Sequence, residues 1–79
     1  MAVSFEELKD LISDKLGIEK DQIVEGASFV NDLGVDSLEQ VELIMELEKK
    51  FDISIPDEDQ DQLGSVGELL AYLNEKVSN

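Results

Sequence analysis

Apolar residues recur at helical spacing in three segments of the chain. Within each segment they lie three, four or one residue apart, which places them on one face of an α-helix. The three faces are formed by Phe5, Leu8, Leu11, Ile12 and Leu16, by Leu43, Ile44, Leu47 and Phe51, and by Val66, Leu69, Leu70, Leu73 and Val77. Since such a helix buries its apolar face against another element, the pattern predicts a bundle of amphipathic helices.

Each of the three segments begins with a residue that favours the start of a helix. Ser4, Asp36 and Ser65 are each followed three residues later by a glutamate, which is the spacing of a capping box. A glycine, the residue that most often follows a helix, stands directly after the first segment. We therefore expect the second helix to begin at Asp36 or Ser37 and to run to about Phe51.

The two connecting stretches lack a sustained helical period. We expect residues 18–33 to form a long structured loop that its scattered apolar side chains pin to the core. These side chains are Ile23, Val24, Phe29, Val30 and Leu33. In the second stretch, a short helix is expected to begin at Pro56 or Asp57 and to end by Gly64. The sequence thus predicts an all-α bundle of three main helices and one short helix, forming a single domain over residues 1–79.

The second helix carries a second apolar stripe, which a helix in a bundle does not need. On a helical wheel it lies about 60° or more from the core stripe. This apolar stripe consists of Leu38, Val41 and Met45, and an acidic stripe of Glu39, Glu42 and Glu46 borders it. The three apolar side chains either pack beneath the short helix or form a docking surface. Charge would steer a partner to such a surface, and apolar contact would hold it.

The charge of the chain excludes several classes of function. Twenty acidic residues face six lysines, giving a net charge of −14. Nucleic acids and anionic membrane surfaces would be repelled, whereas basic protein surfaces would be attracted.

The chain has no histidine or cysteine, so a Ser-His-Asp or Cys-His arrangement cannot form. We expect a non-catalytic protein that does not insert into membranes.

One acidic cluster partly matches a calcium-binding EF-hand loop. Asp57, Asp59 and Asp61, with Glu68 as the twelfth residue, occupy four of its oxygen-ligand positions. The sixth position, which should be glycine, is Gln62. We therefore expect no specific metal site, and a calcium-binding regulatory protein is kept only as a distant alternative.

The segment around Ser37 resembles the phosphopantetheine attachment site of acyl carrier proteins, in particular those of type II fatty acid synthesis. The similarity extends from about Phe29 to Asp61. The matching residues are Leu33-Gly34-Val35, Asp36-Ser37-Leu38, Val41-Glu42-Leu43-Ile44-Met45, Leu47-Glu48, Phe51-Asp52-Ile53 and Ile55-Pro56-Asp57-Glu58-Asp59. The resemblance implies that a phosphopantetheinyl transferase attaches 4'-phosphopantetheine from coenzyme A to Ser37, with Asp36 capping the helix beside it.

The resemblance also implies how such a carrier works. The thiol of the arm would carry growing acyl chains as thioesters between the enzymes of fatty acid synthesis, which dock through basic surfaces. The docking residues would be Leu38, Glu39, Val41, Glu42, Met45, Glu46 and Glu48. The acyl chain would enter a cavity lined by Phe29, Leu47, Ile55, Leu63 and Leu69, although ordinary core packing predicts the same residues.

Two positions depart from the pattern of fatty acid carriers. Glu39 stands where many have aspartate, and Gln40 stands where they often have a small hydroxyl residue. A carrier for a polyketide, aminoacyl or other specialised pathway therefore stays open.

No secretion signal or membrane-spanning run is visible, so we expect a monomeric cytoplasmic protein. Eleven acidic residues against two lysines from Asp32 to Asp61 predict destabilisation at low ionic strength.

Overall fold

A computed structural model describes residues 3–77, which form four α-helices and one 3₁₀ turn. The helices are α1 (Phe5–Leu16), α2 (Ser37–Phe51), α3 (Asp57–Gln60) and α4 (Val66–Val77), and the turn is Lys20–Gln22. This confirms the predicted all-α bundle of three main helices and one short helix. Within the described part of the chain, no helix combines the length and apolar character needed to cross a membrane.

Capping residues begin the three long helices as the sequence predicts. The Ser4 side chain accepts a hydrogen bond from the backbone amide three residues later. At Asp36 and Ser65 the bond is reciprocated, because the glutamate three residues on accepts from the amide of the cap. Gly17 ends α1 in the left-handed conformation, and Asp52 ends α2 in the same conformation. The boundaries of these helices are therefore set by local contacts.

The core of the molecule is formed by the predicted faces of the three long helices. The buried members of these faces are Leu8, Ile12, Leu43, Ile44, Leu47, Val66, Leu69 and Leu73. The other predicted members are half-buried and pack against the core: Phe5, Leu11, Leu16, Phe51, Leu70 and Val77. Among residues 3–77 no polar or charged residue is buried, so the fold is held mainly by the burial of apolar surface.

The long loop between α1 and α2 is pinned to the core by only some of its apolar residues. Ile23 and Phe29 are buried and Leu33 is half-buried, as predicted. Val24 and Val30, however, are 54% and 61% exposed, so the prediction that they pin the loop is wrong. Each directly follows a buried residue, Ile23 or Phe29, which occupies the place in the core, and the valine side chain is left in solvent.

Backbone hydrogen bonds attach this loop to the start of α4. The amide of Phe29 donates to Gly64 O at 3.0 Å, and the amide of Val66 donates to Ala27 O at 3.0 Å. The amide of Gly67 donates to a loop carbonyl at 2.8 Å. A Cβ atom at Gly67 would lie 2.9 Å from that carbonyl oxygen, so the close approach requires glycine. The loop is therefore ordered although it lacks regular structure.

Residues 55–63, the α3 segment, are tied to α2 and α4 by three side-chain hydrogen bonds. These join Ile55 N to Glu48 Oε2 (2.7 Å), Gln40 Nε2 to Leu63 O (3.1 Å) and Tyr72 OH to Asp59 Oδ2 (2.6 Å). Ile55 and Leu63, at the two ends of the segment, are also buried. The segment is thus fastened at both ends and near its middle.

Candidate functional site

Ser37 is presented to solvent as the first residue of α2, the longest helix of the described chain. Gly34 turns the chain just before it with a φ of 66°, a conformation that glycine adopts without strain. Val35, the residue before the helix cap, has a buried side chain, which anchors the chain to the core at this point. Asp36 then caps the helix, and the Ser37 side chain is exposed. A rigid helix start therefore holds an accessible hydroxyl.

The start of α2 is suited to a phosphate ester on this hydroxyl. Within the first turn, the Glu39 amide donates to Asp36 Oδ1 at 2.8 Å and the Gln40 amide to Asp36 O at 3.0 Å. By helix geometry the amides of Ser37 and Leu38 have no intrahelical partner. Free amides and the positive end of the helix dipole favour an anion at this position. Ser37 thus fits the attachment of a phosphodiester.

The surroundings of Ser37 do not activate its hydroxyl. The carboxylate of Asp36 is engaged with the Glu39 amide as the helix cap rather than bonded to the serine. Adjacent residues at a helix start do not face each other, which also keeps Asp36 away from the hydroxyl of Ser37. Asp36 therefore acts on the start of the helix and not on the hydroxyl of Ser37.

The apolar stripe of α2 is exposed. Leu38 is 68% accessible, Val41 44% and Met45 60%, so these side chains do not pack beneath α3. On the adjoining acidic stripe, Glu42 is exposed, whereas Glu39 and Glu46 are half-buried. Contiguous apolar surface of this kind is typical of an interaction site, and its charged border suits a transient partner.

Two further features modify the predicted docking surface. Glu48 is half-buried and accepts a hydrogen bond from the Ile55 amide, so it also has a structural role. A groove beside the stripes brings two lysines close to the acidic side chains. It is lined by Lys15, Glu42, Met45, Glu46, Glu48 and Lys49. The surface is therefore negative next to Ser37 and mixed in charge farther along α2. The docking role of these residues stays a prediction.

The five residues predicted to line an acyl cavity all lie in the apolar core. Phe29, Leu47, Ile55, Leu63 and Leu69 are each no more than 3% exposed. Leu47 lies in α2, Leu69 in α4 and Phe29 in the loop between α1 and α2. The other two are the buried ends of the α3 segment. Both core packing and contact with an acyl chain require this burial, so the cavity assignment also stays a prediction.

The acidic cluster after Pro56 does not form an EF-hand loop. Asp57 and Asp59 lie in α3, where a calcium site would need an open loop. The carboxylate of Asp59 accepts from Tyr72, and that of Glu68 caps α4. Within residues 3–77, no group of three or more histidine, cysteine, aspartate or glutamate side chains is arranged to hold a metal ion.

Two features of the site could not be found from the hydrophobic pattern. Gln40 reaches across from α2 to the carbonyl of Leu63, although the sequence marks it only as a departure from related carriers. Val30 is exposed on the loop whose backbone contacts the residue before the α2 cap. The Gln40 contact joins residues far apart in the sequence, and the turn that exposes Val30 is an irregular one, so neither is encoded by helical periodicity.

A comparison with known protein families agrees with this geometry. The family model described as "Phosphopantetheine attachment site" matches residues 6–73 of the 79-residue chain. The match includes the whole of α2 and the loop before it, and it extends into α1 and α4. Members of this family are modified covalently with 4'-phosphopantetheine at the attachment site. The chain therefore belongs to the family of phosphopantetheine-bearing carrier proteins.

Proposed function

We propose that this protein is an acyl carrier of type II fatty acid synthesis that holds growing acyl chains as thioesters on an arm attached to Ser37. The observation that carries the proposal is the exposed Ser37 hydroxyl at the capped start of α2, inside the region that matches the family. We propose further that residues 1–79 act as a single carrier domain. The protein itself is then a substrate of the synthesis enzymes rather than a catalyst.

Loading of the carrier requires one transfer from coenzyme A. The Ser37 oxygen forms a bond to the phosphorus next to pantetheine, and the phosphoanhydride bond of coenzyme A breaks. The serine proton is released, and adenosine 3',5'-bisphosphate leaves. A phosphopantetheinyl transferase supplies the base for this step, because Asp36 is occupied as the helix cap. Asp36 contributes by fixing the helix start that presents Ser37.

The α2 surface is the proposed docking site for this transferase and for the synthesis enzymes. The exposed apolar stripe gives a partner a contact area that begins next to Ser37 and extends about two turns along α2, and the acidic residues beside it favour a basic partner surface. The docking residues are Leu38, Glu39, Val41, Glu42, Met45, Glu46 and Glu48. A net charge of −14 accelerates encounter with basic enzymes.

Two sequence features favour fatty acid synthesis over a specialised pathway. The first is the strong acidity of the chain, and the second is the Ile55-Pro56-Asp57-Glu58-Asp59 stretch that it shares with fatty acid carriers. In this proposal the aliphatic chain enters the protein between α2, α4 and the α3 segment. It would contact Phe29, Leu47, Ile55, Leu63 and Leu69, which are all apolar and buried.

The attachment of the arm is tested by intact mass before and after incubation with coenzyme A and a broad-specificity phosphopantetheinyl transferase. We expect the wild-type protein to gain one phosphopantetheine and Ser37→Ala to gain none. Ser54→Ala is the matched control, because Ser54 is also exposed but lies after α2. It should be loaded like the wild type. Absence of any gain on folded, unmodified wild-type protein would contradict the proposal.

The pathway is tested on the loaded protein. We expect it to accept a malonyl group and to take part in condensation by a type II ketoacyl synthase. If no malonyl group is transferred to the loaded protein but aminoacyl groups are, the carrier function stands and the assignment to fatty acid synthesis fails.

A further inference from the structure

Five large hydrophobic side chains are exposed in the described part of the chain. Three form the apolar stripe of α2, and the other two are Val24 and Val30 in the loop before it. A single exposed valine is common on protein surfaces and needs no explanation by itself. Whether such a valine contacts a partner depends on how rigidly it is held and on how far it lies from Ser37.

Val30 is held in a rigid turn. The turn is closed by hydrogen bonds from Asp32 N and Leu33 N to Ser28 O (2.9 and 3.1 Å), from Ser28 N to Asp32 Oδ2 (2.7 Å) and from Asn31 N to Ser28 Oγ (3.2 Å). The preceding residue, Phe29, is buried in the core and anchors the turn from below. Val30 is therefore fixed with its side chain in solvent, and little conformational entropy is lost when a partner covers it.

The turn lies beside the start of α2. The Val35 amide donates to Phe29 O at 2.8 Å, which brings the Phe29–Val30 peptide next to the residue before the α2 cap. With ordinary backbone spacings, the Cα atoms of Val30 and Ser37 are then at most about 14 Å apart. Val24 is placed differently, because the carbonyl of the next residue is bonded to Gly67 at the start of α4.

We propose that Val30 is a contact for the transferase that loads Ser37, and that it extends the docking surface from α2 onto the loop. This inference rests on the proposed function. An enzyme that brings coenzyme A to Ser37 must cover the surface around this hydroxyl, where Val30 is exposed together with Leu38 and Val41 of the apolar stripe. Asp32 and Asp36 are exposed beside them, so the partner is expected to carry an apolar surface with a basic rim.

The test compares Val30→Ser with Val24→Ser in steady-state loading by a broad-specificity phosphopantetheinyl transferase with coenzyme A. The two valines are similarly exposed and lie in the same loop, so the substitutions are matched. Loss of the apolar contact should raise the KM for the Val30→Ser carrier about fivefold to tenfold, with kcat little changed. The KM for Val24→Ser should stay within about twofold of the wild type.

The outcomes separate this inference from the proposed function. If both variants have the same KM, whether raised or not, Val30 has no special role and the inference is overturned while Ser37 remains the attachment site. If the folded wild-type protein is not loaded at all, the proposed function fails and the inference fails with it. Thermal melting of both variants checks that the exposed substitutions leave the fold intact.

Discussion

Tyr72 joins α4 to the α3 segment through a 2.6 Å hydrogen bond to Asp59. Burial raises the pKa of its phenol to about 12, and the hydrogen bond and negative charge of Asp59 add to this effect. The ordinary pKa of tyrosine is about 10, so the fold favours the neutral phenol. Tyr72 therefore contributes stability that is fully present below about pH 10 and is lost as the pH rises towards about 12.

We predict that Tyr72→Phe removes this pH-dependent contribution. At about pH 8 the variant should lose about 1 kcal/mol of unfolding free energy, because the hydrogen bond to Asp59 is gone. Between about pH 10 and pH 12 the difference from the wild type should shrink, since only the wild-type phenol ionises there. Urea denaturation of both proteins across this range measures the difference. A constant gap would mean that Tyr72 is not stabilised in its neutral form.

At the scale of elements, the α3 segment depends on its attachments. The helix itself has four residues and none is buried. A helix this short is not stable alone in water, so its position is set by the neighbouring contacts. The burial of Ile55 and Leu63 fixes its ends, and the bond from Gln40 Nε2 to Leu63 O ties one end to α2.

We predict that Gln40→Ala loosens the α3 segment without loosening the rest of the fold. Loss of the bond to Leu63 O should accelerate amide hydrogen exchange within residues 55–63 about fivefold, while α1 and α4 exchange as before. Gln62→Ala is the control, because Gln62 is an exposed glutamine in the same segment. Equal acceleration of all protected amides in Gln40→Ala would indicate global destabilisation and contradict the prediction.

The elements that the sequence predicts correctly are those with local causes. The start of α2 follows from Asp36 and the glutamate three residues later, which form a capping box within one helical turn. The exposure of Val30 and the contact of Gln40 with Leu63 depend instead on where the loop and the α3 segment lie against the helices. The position of Ser37 at the start of α2 was predictable because the capping residue Asp36 precedes it. Of the exposed surface around Ser37, only the part on α2 was predictable from the sequence.

For the whole molecule, the distribution of charge is uneven. Two ion pairs, Lys9–Glu6 and Lys20–Asp10, both involve α1. Asp10 also raises the pKa of Lys20, through its hydrogen bond and its charge. Between residues 32 and 61, eleven acidic residues accompany only two lysines. The repulsion among the carboxylates of α2 and the α3 segment is therefore little relieved within the protein.

We predict that added salt stabilises the fold by screening this repulsion. Raising NaCl from about 10 mM to about 200 mM shortens the screening length from about 30 Å to below 10 Å. A gain of about 1 kcal/mol would raise the melting temperature by about 4–8 °C in a domain of this size. Millimolar Mg²⁺ should act in the same direction at lower concentration, because a divalent ion neutralises neighbouring carboxylates.

The origin of this effect is tested by removing single charges in the same melting experiments. Glu58→Gln removes an exposed carboxylate from the α3 segment, and Glu19→Gln removes an exposed carboxylate beside Lys20, outside the acidic stretch. At low salt, Glu58→Gln should raise the melting temperature and reduce its dependence on salt, because one repulsive partner is gone. Glu19→Gln should leave both nearly unchanged, since it lies next to a positive charge. A wild-type melting temperature independent of both NaCl and Mg²⁺ would show that the repulsion does not destabilise the fold measurably, and it would contradict the prediction.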